Sequence, residues 1–288
     1  MKRETLAKLQ MATACVLYGT LGIMRRAIPL TSGLISFFRA VTGSCFLIVF
    51  LYARKKRLDF PAIRRNLRML IPAGLCMGAA WVLLFEAYNH TTVAVATLSF
   101  YLAPTIVILA SPVVLHEKLT AKKLVCAAVA LVGMVLISGV TGASFQGMRG
   151  ILYALLAAVL YATNTLLGKR LKDIPPVDTA AVELFIAALI LAPWLFATGG
   201  FSGIALTPRA VLLLFVLGIV HTSFAYTLHF ASLAVLDSHT VSMLGYIDPI
   251  TAVALSALVL KEPLTVPVVI GAVMILASAF VAGREDNP

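Results

Sequence analysis

The sequence predicts an all-α membrane protein of ten transmembrane helices, built as two inverted-topology repeats of five. Three observations predict it: composition, a series of long apolar runs, and self-similarity across half the chain. Of 288 residues, 61% are hydrophobic and 12% are charged, with a mean hydropathy of +1.00. A soluble domain is closer to half apolar and a quarter charged. A membrane-spanning helix takes about 20 mostly apolar residues. Ten of them leave loops and tails, with no room for a second soluble domain. The runs are continuously apolar, so helices are expected rather than the alternating strands of a barrel.

In order, the runs are 9–26, 31–53, 69–88, 91–113 and 121–139, then 150–169, 177–198, 210–231, 238–260 and 266–283. The first follows Lys2, Arg3 and Lys8, as a signal peptide would. No clean small-residue cleavage site follows it, and Arg25 and Arg26 lead straight into the next run, so a retained helix is expected. The second run carries Arg39 at its centre. The third carries Trp81, Glu86 and Tyr88, with Gly74 and Gly78 spaced for close helix packing. Tyr101 and Pro104 lie in the fourth, Tyr161 and Asn164 in the sixth, and Glu183 near the start of the seventh. His221 and His229 share one helical face of the eighth. Tyr246, Asp248 and Pro249 lie within the ninth. Cys15, Cys45, Cys76 and Cys126 all fall inside runs without CxxC spacing and read as small apolar residues.

The formal charge is +11, from 23 Lys+Arg against 12 Asp+Glu. With both termini in the cytoplasm, one face of the layout collects Lys2, Arg3, Lys8, the basic loop 54–68, Lys118, Lys122, Lys123, Lys169, Arg170, Lys172 and Arg284. The other face holds Arg25, Arg26, Arg149, Arg209 and Lys261. This asymmetry is what the positive-inside rule requires of a cytoplasmic (inner) membrane protein. It accounts for the basic balance without a nucleic-acid partner.

An offset of 145 places Tyr101 on Tyr246, Pro104 on Pro249, Glu117 on Glu262 and Thr120 on Thr265, so VLHEKLT is mirrored by VLKEPLT. At 143, Leu17, Tyr18 and Thr20 fall on Leu160, Tyr161 and Thr163. The chain therefore divides into halves 1–144 and 145–288. Five crossings per half is an odd number, so the second half enters the membrane from the opposite side. Inverted repeats of this kind are a transporter device, with the substrate held near the midplane between them.

The layout, the stretch SFFRAVTGSCFLI at 36–48, YLAPTIVIL and VVLHEKLT within 101–120, and YIDPITAVALSALVLKEPLT at 246–265 together resemble the drug/metabolite transporter superfamily, in particular its EamA-type members. The resemblance covers essentially the whole chain. It implies secondary transport of small organic solutes without ATP, with a lean toward export. Tyr18 and Tyr161 stand where the family often has Trp.

A carboxylate at membrane depth is costly and by default functional, which singles out Asp248; capping a broken helix or pairing with a cation is the alternative. Its repeat mate is Ala103, so fold symmetry does not demand it. Arg39 suits bidentate carboxylate recognition, or else pairs with Glu183 or Asp248. Glu86 and Glu183 either line vestibules or are solvated at the interface. Tyr18, Trp81, Tyr101, Tyr161 and Tyr246 are candidates for an aromatic wall, and Asn164 for a polar contact within it. His221 is either a substrate or proton contact or a satisfied core histidine. Pro104 and Pro249 are candidate hinges. Glu117 and Glu262 read as helix-terminating caps.

No third ligand completes a metal site, and no cofactor motif occurs. His116-Glu117 begins an HExxH pattern that fails at Thr120, and no nucleophile elbow or phosphate loop is present. The reading is therefore a carrier for small polar, amino-acid-like or other zwitterionic or cationic solutes. Carriage of organic cations such as quaternary amines, proton-coupled or facilitated, is the alternative, with an intramembrane enzyme or channel behind it. The expected partners are the solute, the lipid bilayer and, if transport is coupled, protons. Monomer and homodimer are both open.

Overall fold

The computed structural model describes residues 2–116, 119–138, 145–201, 207–233, 235–236 and 238–283; Glu117, Lys118 and Arg284 lie outside them. Every regular element among the described residues is helical. Seven helical stretches are long and apolar enough to cross a bilayer, and two shorter apolar ones follow at Met243–Leu258 and Val266–Ala282.

The chain begins with α1 (Lys2–Gly19) and α2 (Leu21–Ala27), one stretch interrupted at Thr20, whose hydroxyl donates to the Leu17 carbonyl at 2.7 Å. Next come α3 (Ser32–Ala53) and α4 (Phe60–His90). The Asp59 side chain caps α4 by accepting from the Ala62 N–H at 2.9 Å, and Pro61 occupies its first turn. This start is earlier than the sequence reading, which put 54–68 in a basic loop. Arg64, Arg65 and Arg68 are instead exposed on the first turns of α4, because cap and proline nucleate the helix before the apolar run begins.

The fourth apolar run is two helices, α5 (Val93–Phe100) and α6 (Ala103–Val114), followed by α7 (Ala121–Ser138). The second half contains α8 (Phe145–Gly168), α9 (Pro176–Ala197) and α10 (Pro208–Gly218). A π-helical turn, Ile219–Phe224, joins α10 to α11 (Ala225–Leu233). The chain closes with α12 (Ser238–Gly245), α13 (Ile247–Leu258) and α14 (Val266–Gly283). The candidate hinge prolines sit in first turns, Pro104 in α6 and Pro249 in α13, where a missing N–H costs no helical bond.

The helices pack in matched sets: α3 on α9, α7 on α14, α1 on α11 and α13, and α8 on α4 and α6. Small residues permit the closest approaches. A Cβ on Gly74 would meet the Glu183 carbonyl oxygen at 2.8 Å, and one on Gly78 the Ala187 Cβ at 3.1 Å, so this pair seats α4 on α9 as its spacing suggests. Gly133 and Gly271 face each other's backbone across α7 and α14.

The outer surface keeps large apolar residues bare, with Val113 80%, Leu258 76% and Phe196 73% exposed. A soluble surface does not tolerate so much of this; a lipid-facing one requires it.

Two turns recur between the halves. Lys55 (φ 56°) and Gly199 (φ 67°) follow α3 and α9, and His116 (φ 58°) and Lys261 (φ 53°) follow α6 and α13. Both pairs enter the left-handed region that favours glycine.

Polar clasps tie the halves at both ends of the helices. Asn66 on α4 exchanges two hydrogen bonds with the Lys172 backbone, at 2.9 and 3.0 Å. At the other end, Glu262 accepts from Arg26 at 3.0 Å, from the Val93 N–H at 2.8 Å and from the Ser256 hydroxyl. Glu262 is thus a cap, as its sequence position suggests, but for the start of α5 in the other half.

Candidate functional site

Arg39 sits in the N-terminal half of α3 and is 4% exposed. Two features fix it. Its Nε–H donates to the Thr222 hydroxyl at 2.8 Å, and its guanidinium carbon lies 3.9 Å from the centroid of the Trp81 ring. The stacking is a cation–π contact, strongest where water is excluded. Among the described residues no other guanidinium donor of Arg39 finds an acceptor, and neither Asp248 nor Glu183 forms an ion pair with it. The partner the sequence suggested for Arg39 is therefore replaced by a hydroxyl.

That hydroxyl belongs to the π turn. Three consecutive side chains there bond back five residues: His221 Nδ1 to the Val216 carbonyl at 3.3 Å, Thr222 to Leu217 at 3.1 Å and Ser223 to Gly218 at 2.8 Å. Thr222 donates to Leu217 and accepts from Arg39, forming a short polar chain. Close approach of α3 makes it reachable. A Cβ on Gly43 would meet the Thr222 methyl at 2.9 Å, and one on Gly218 would collide with Thr42. π turns inside α-helical stretches often mark functional sites. This one also shifts the helical register, and both histidines, read from the sequence as sharing one helical face, turn toward the first stretch. His221 Nε2 lies 2.7 Å from the Thr20 hydroxyl at the α1–α2 break, while His229 lies beside Tyr18.

Asp248 occupies the first turn of α13, where the helix N-terminus favours a negative charge. One carboxylate oxygen accepts from the Tyr101 hydroxyl at 2.6 Å. Tyr101 ends α5 at the break before α6, so two discontinuities in different halves meet here. Asp248 lies within electrostatic range of Arg39, Tyr88 and Tyr161. Its backbone is pressed against α1, where a Cβ on Gly19 would meet the Asp248 carbonyl oxygen at 2.6 Å.

Tyrosines fill the surroundings. Tyr18 meets Tyr226 edge to face at 6.1 Å between centroids, and both are within electrostatic range of Arg39. Tyr161 packs on Phe100 at 5.2 Å. One turn along α8, Asn164 donates to Glu183 at 3.1 Å and to the Ala73 carbonyl at 3.0 Å. Glu183 is 5% exposed and lies within electrostatic range of Tyr161 and Tyr226.

The structure thus gathers Tyr18, Arg39, Trp81, Tyr101, Tyr161, Asn164, Glu183 and Asp248, with His221 on the flank. It separates two others. Glu86 belongs to a cluster at the α4 C-terminal end, accepting from Ser32 at 2.7 Å and Asn89 at 3.1 Å, with His90 at 3.1 Å. Tyr246 turns to Phe280 on α14, at 6.0 Å, so the repeat mates Tyr101 and Tyr246 have different surroundings. Thr222 has no sequence signal beyond its place beside a buried histidine. An apolar groove of about 290 Å³ between α4 and α9, lined by Leu75, Gly78, Val82, Ala187 and Trp194 among others, contains none of these polar groups.

The model of the EamA-like transporter family matches the chain twice, over residues 5–139 and 148–284. The chain belongs to the EamA-like transporter family. EamA relatives include the uncharacterized transporter YxxF of Bacillus subtilis (strain 168), 28% identical with 88% of this chain and 82% of that protein covered. YwfM of the same strain, also an uncharacterized transporter, is 28% identical with 88% and 85% covered. Protein PecM of Dickeya dadantii (strain 3937) is 25% identical with 77% and 75% covered. A solved crystal structure shares the fold with a TM-score of 0.66 at 19% identity, over 96% of each chain. The protein is therefore a multi-pass EamA-type membrane transporter, and its doubled family match agrees with the self-similarity of the sequence.

Proposed function

We propose that this EamA protein is an alternating-access carrier that exports small zwitterionic, amino-acid-like metabolites across the cytoplasmic membrane. Ten crossings form two inverted five-helix halves, 1–144 and 145–288, with both termini in the cytoplasm. The matched helix pairings and the paired left-handed turns support two halves of one design. The basic-residue asymmetry supports the orientation.

One observation carries the substrate assignment. The guanidinium of Arg39 is held from behind by Trp81 and Thr222, leaving its outer nitrogens without a protein acceptor, while Asp248 stands within electrostatic range. A buried cation held this way is prepared for a carboxylate, and a planar fork takes one bidentately. Asp248 receives the ammonium group, with Tyr101 fixing one of its oxygens and tyrosine rings closing the walls. Pro104 and Pro249, at the starts of the second helices of two broken pairs, are the proposed bending points.

Counterflow in proteoliposomes with a radiolabelled amino-acid mixture tests this reading. Saturable uptake should be lost in Arg39→Ala and in Asp248→Asn, with both variants still folded. Full saturable activity in both variants would overturn the site. Flux linear in the gradient would overturn the carrier mechanism in favour of a channel.

A further inference from the structure

The cluster of buried polar groups holds one more ionisable group than a simple zwitterion uses. Glu183 is buried, and among the described residues its carboxylate has one hydrogen-bond partner, the neutral amide of Asn164. That amide spends both hydrogens, one on Glu183 and one on the Ala73 carbonyl, so it orients the carboxylate without neutralising it. A buried carboxyl is favoured in its charged form only when a cation sits beside it, and otherwise takes up a proton.

The placement is specific. Tyr161 and Asn164 are three residues apart on α8 and so share a face, about 5 Å apart along the axis. Tyr161 lies within electrostatic range of both Asp248 and Glu183. Tyr161 thus lies near both carboxylates, and Arg39 lies within range of Asp248 and of Tyr226. With both carboxylates ionised, as a bound cation would require, one guanidinium leaves a single negative charge to be matched. A neutral zwitterion leaves it uncompensated, whereas a molecule with one carboxylate and two ammonium groups cancels it.

We infer that the substrate is a diamino carboxylic acid of the lysine or ornithine type: its carboxylate meets Arg39, its α-ammonium Asp248 and its distal ammonium Glu183. This rests on the zwitterion reading above and adds the third contact. Asn164 acts as the positioning residue for Glu183.

The test uses the whole protein in lipid nanodiscs with L-lysine, and with L-norleucine, which has the same carbon skeleton without the distal ammonium. Wild-type protein should bind L-lysine at least about 10-fold more tightly than L-norleucine. Glu183→Gln should bring the ratio down to about 1, and Glu183→Asp, which keeps the charge, should retain a preference for lysine. The wild-type ratio needs no variant, so a misfolded substitution does not decide the matter. Equal binding of the two amino acids by wild-type protein overturns the distal-ammonium contact and leaves the zwitterion reading standing. Binding of neither overturns both. A preference that persists undiminished in folded Glu183→Gln assigns the distal contact elsewhere and overturns the role of Glu183.

Discussion

Thr222→Val is the most direct probe of how the site is held. Valine keeps the shape of threonine and removes the hydroxyl, cutting a 2.8 Å bond from Arg39 Nε and a 3.1 Å bond to the Leu217 carbonyl. A hydrogen bond with a charged partner contributes about 1.5–3 kcal/mol, and a neutral one about 1. Thr222 is fully buried and Arg39 nearly so, which leaves water little access to replace either bond. The expected loss of stability is about 2.5–4 kcal/mol, read as a lower unfolding midpoint of the purified protein in detergent. The π turn itself should persist, since Ser223 still reaches the Gly218 carbonyl. Substrate affinity should fall about 10-fold, roughly 1.4 kcal/mol, because the guanidinium loses one of its two fixing contacts. A double-mutant cycle with Arg39→Met isolates the bond from other effects of each substitution, and a coupling of about 2 kcal/mol is expected. Additivity within about 0.5 kcal/mol would show that Thr222 does not hold Arg39 and would refute the reasoning.

Three further outcomes are expected. Gly271→Leu should destabilise by about 1–3 kcal/mol, because even its Cβ would press on the Gly133 carbonyl oxygen at 2.5 Å and backbone cannot rotate away; thermal unfolding measures it. Glu262→Ala should cost more stability than Arg26→Ala, because it also strips the acceptor from the Val93 N–H, whereas Arg26 is 37% exposed and its ion pair is worth about 1 kcal/mol or less; equal losses would contradict this. In a background with its cysteines replaced, Lys56→Cys should react with an impermeant thiol reagent only from the cytoplasmic side and Lys261→Cys only from the outside, and the reverse pattern would invert the topology.

Much of the fold was legible because a bilayer imposes simple demands. Apolar runs long enough to cross must become helices, and the all-helical character of the described residues needs no tertiary knowledge. Helix ends near local caps were partly visible, but Asp59 and Pro61 start α4 well before its apolar stretch, which hydropathy alone misses. The discontinuities were harder. Tyr101 and Pro104 suggested a break, whereas the π turn lies where Gly43 and Gly218 let α3 come close, a contact between distant parts of the chain.

The candidate site divides along the same line. Asp248, Arg39 and Glu183 stand out in sequence because charge is rare inside a membrane. Their pairing was not legible. Arg39 turns to Thr222 and Trp81 rather than to an acid, and Tyr101 finds Asp248 while Tyr246 turns away to Phe280. Repeat symmetry matches backbones better than it matches side-chain environments.

The left-handed turns show what that symmetry keeps. Of the four related positions, Gly199 alone has a residue suited to its backbone; Lys55, His116 and Lys261 hold the same shape against their own preference. The cost of that region to an ordinary residue is about 1–2 kcal/mol. All three side chains are exposed, so glycine there would sacrifice little packing and offset part of the cost, less what its looser unfolded chain takes back. These are places to toughen the transporter for purification without touching its interior. They also show what the two halves share: the chain leaves the paired helices at similar angles whatever residue stands there.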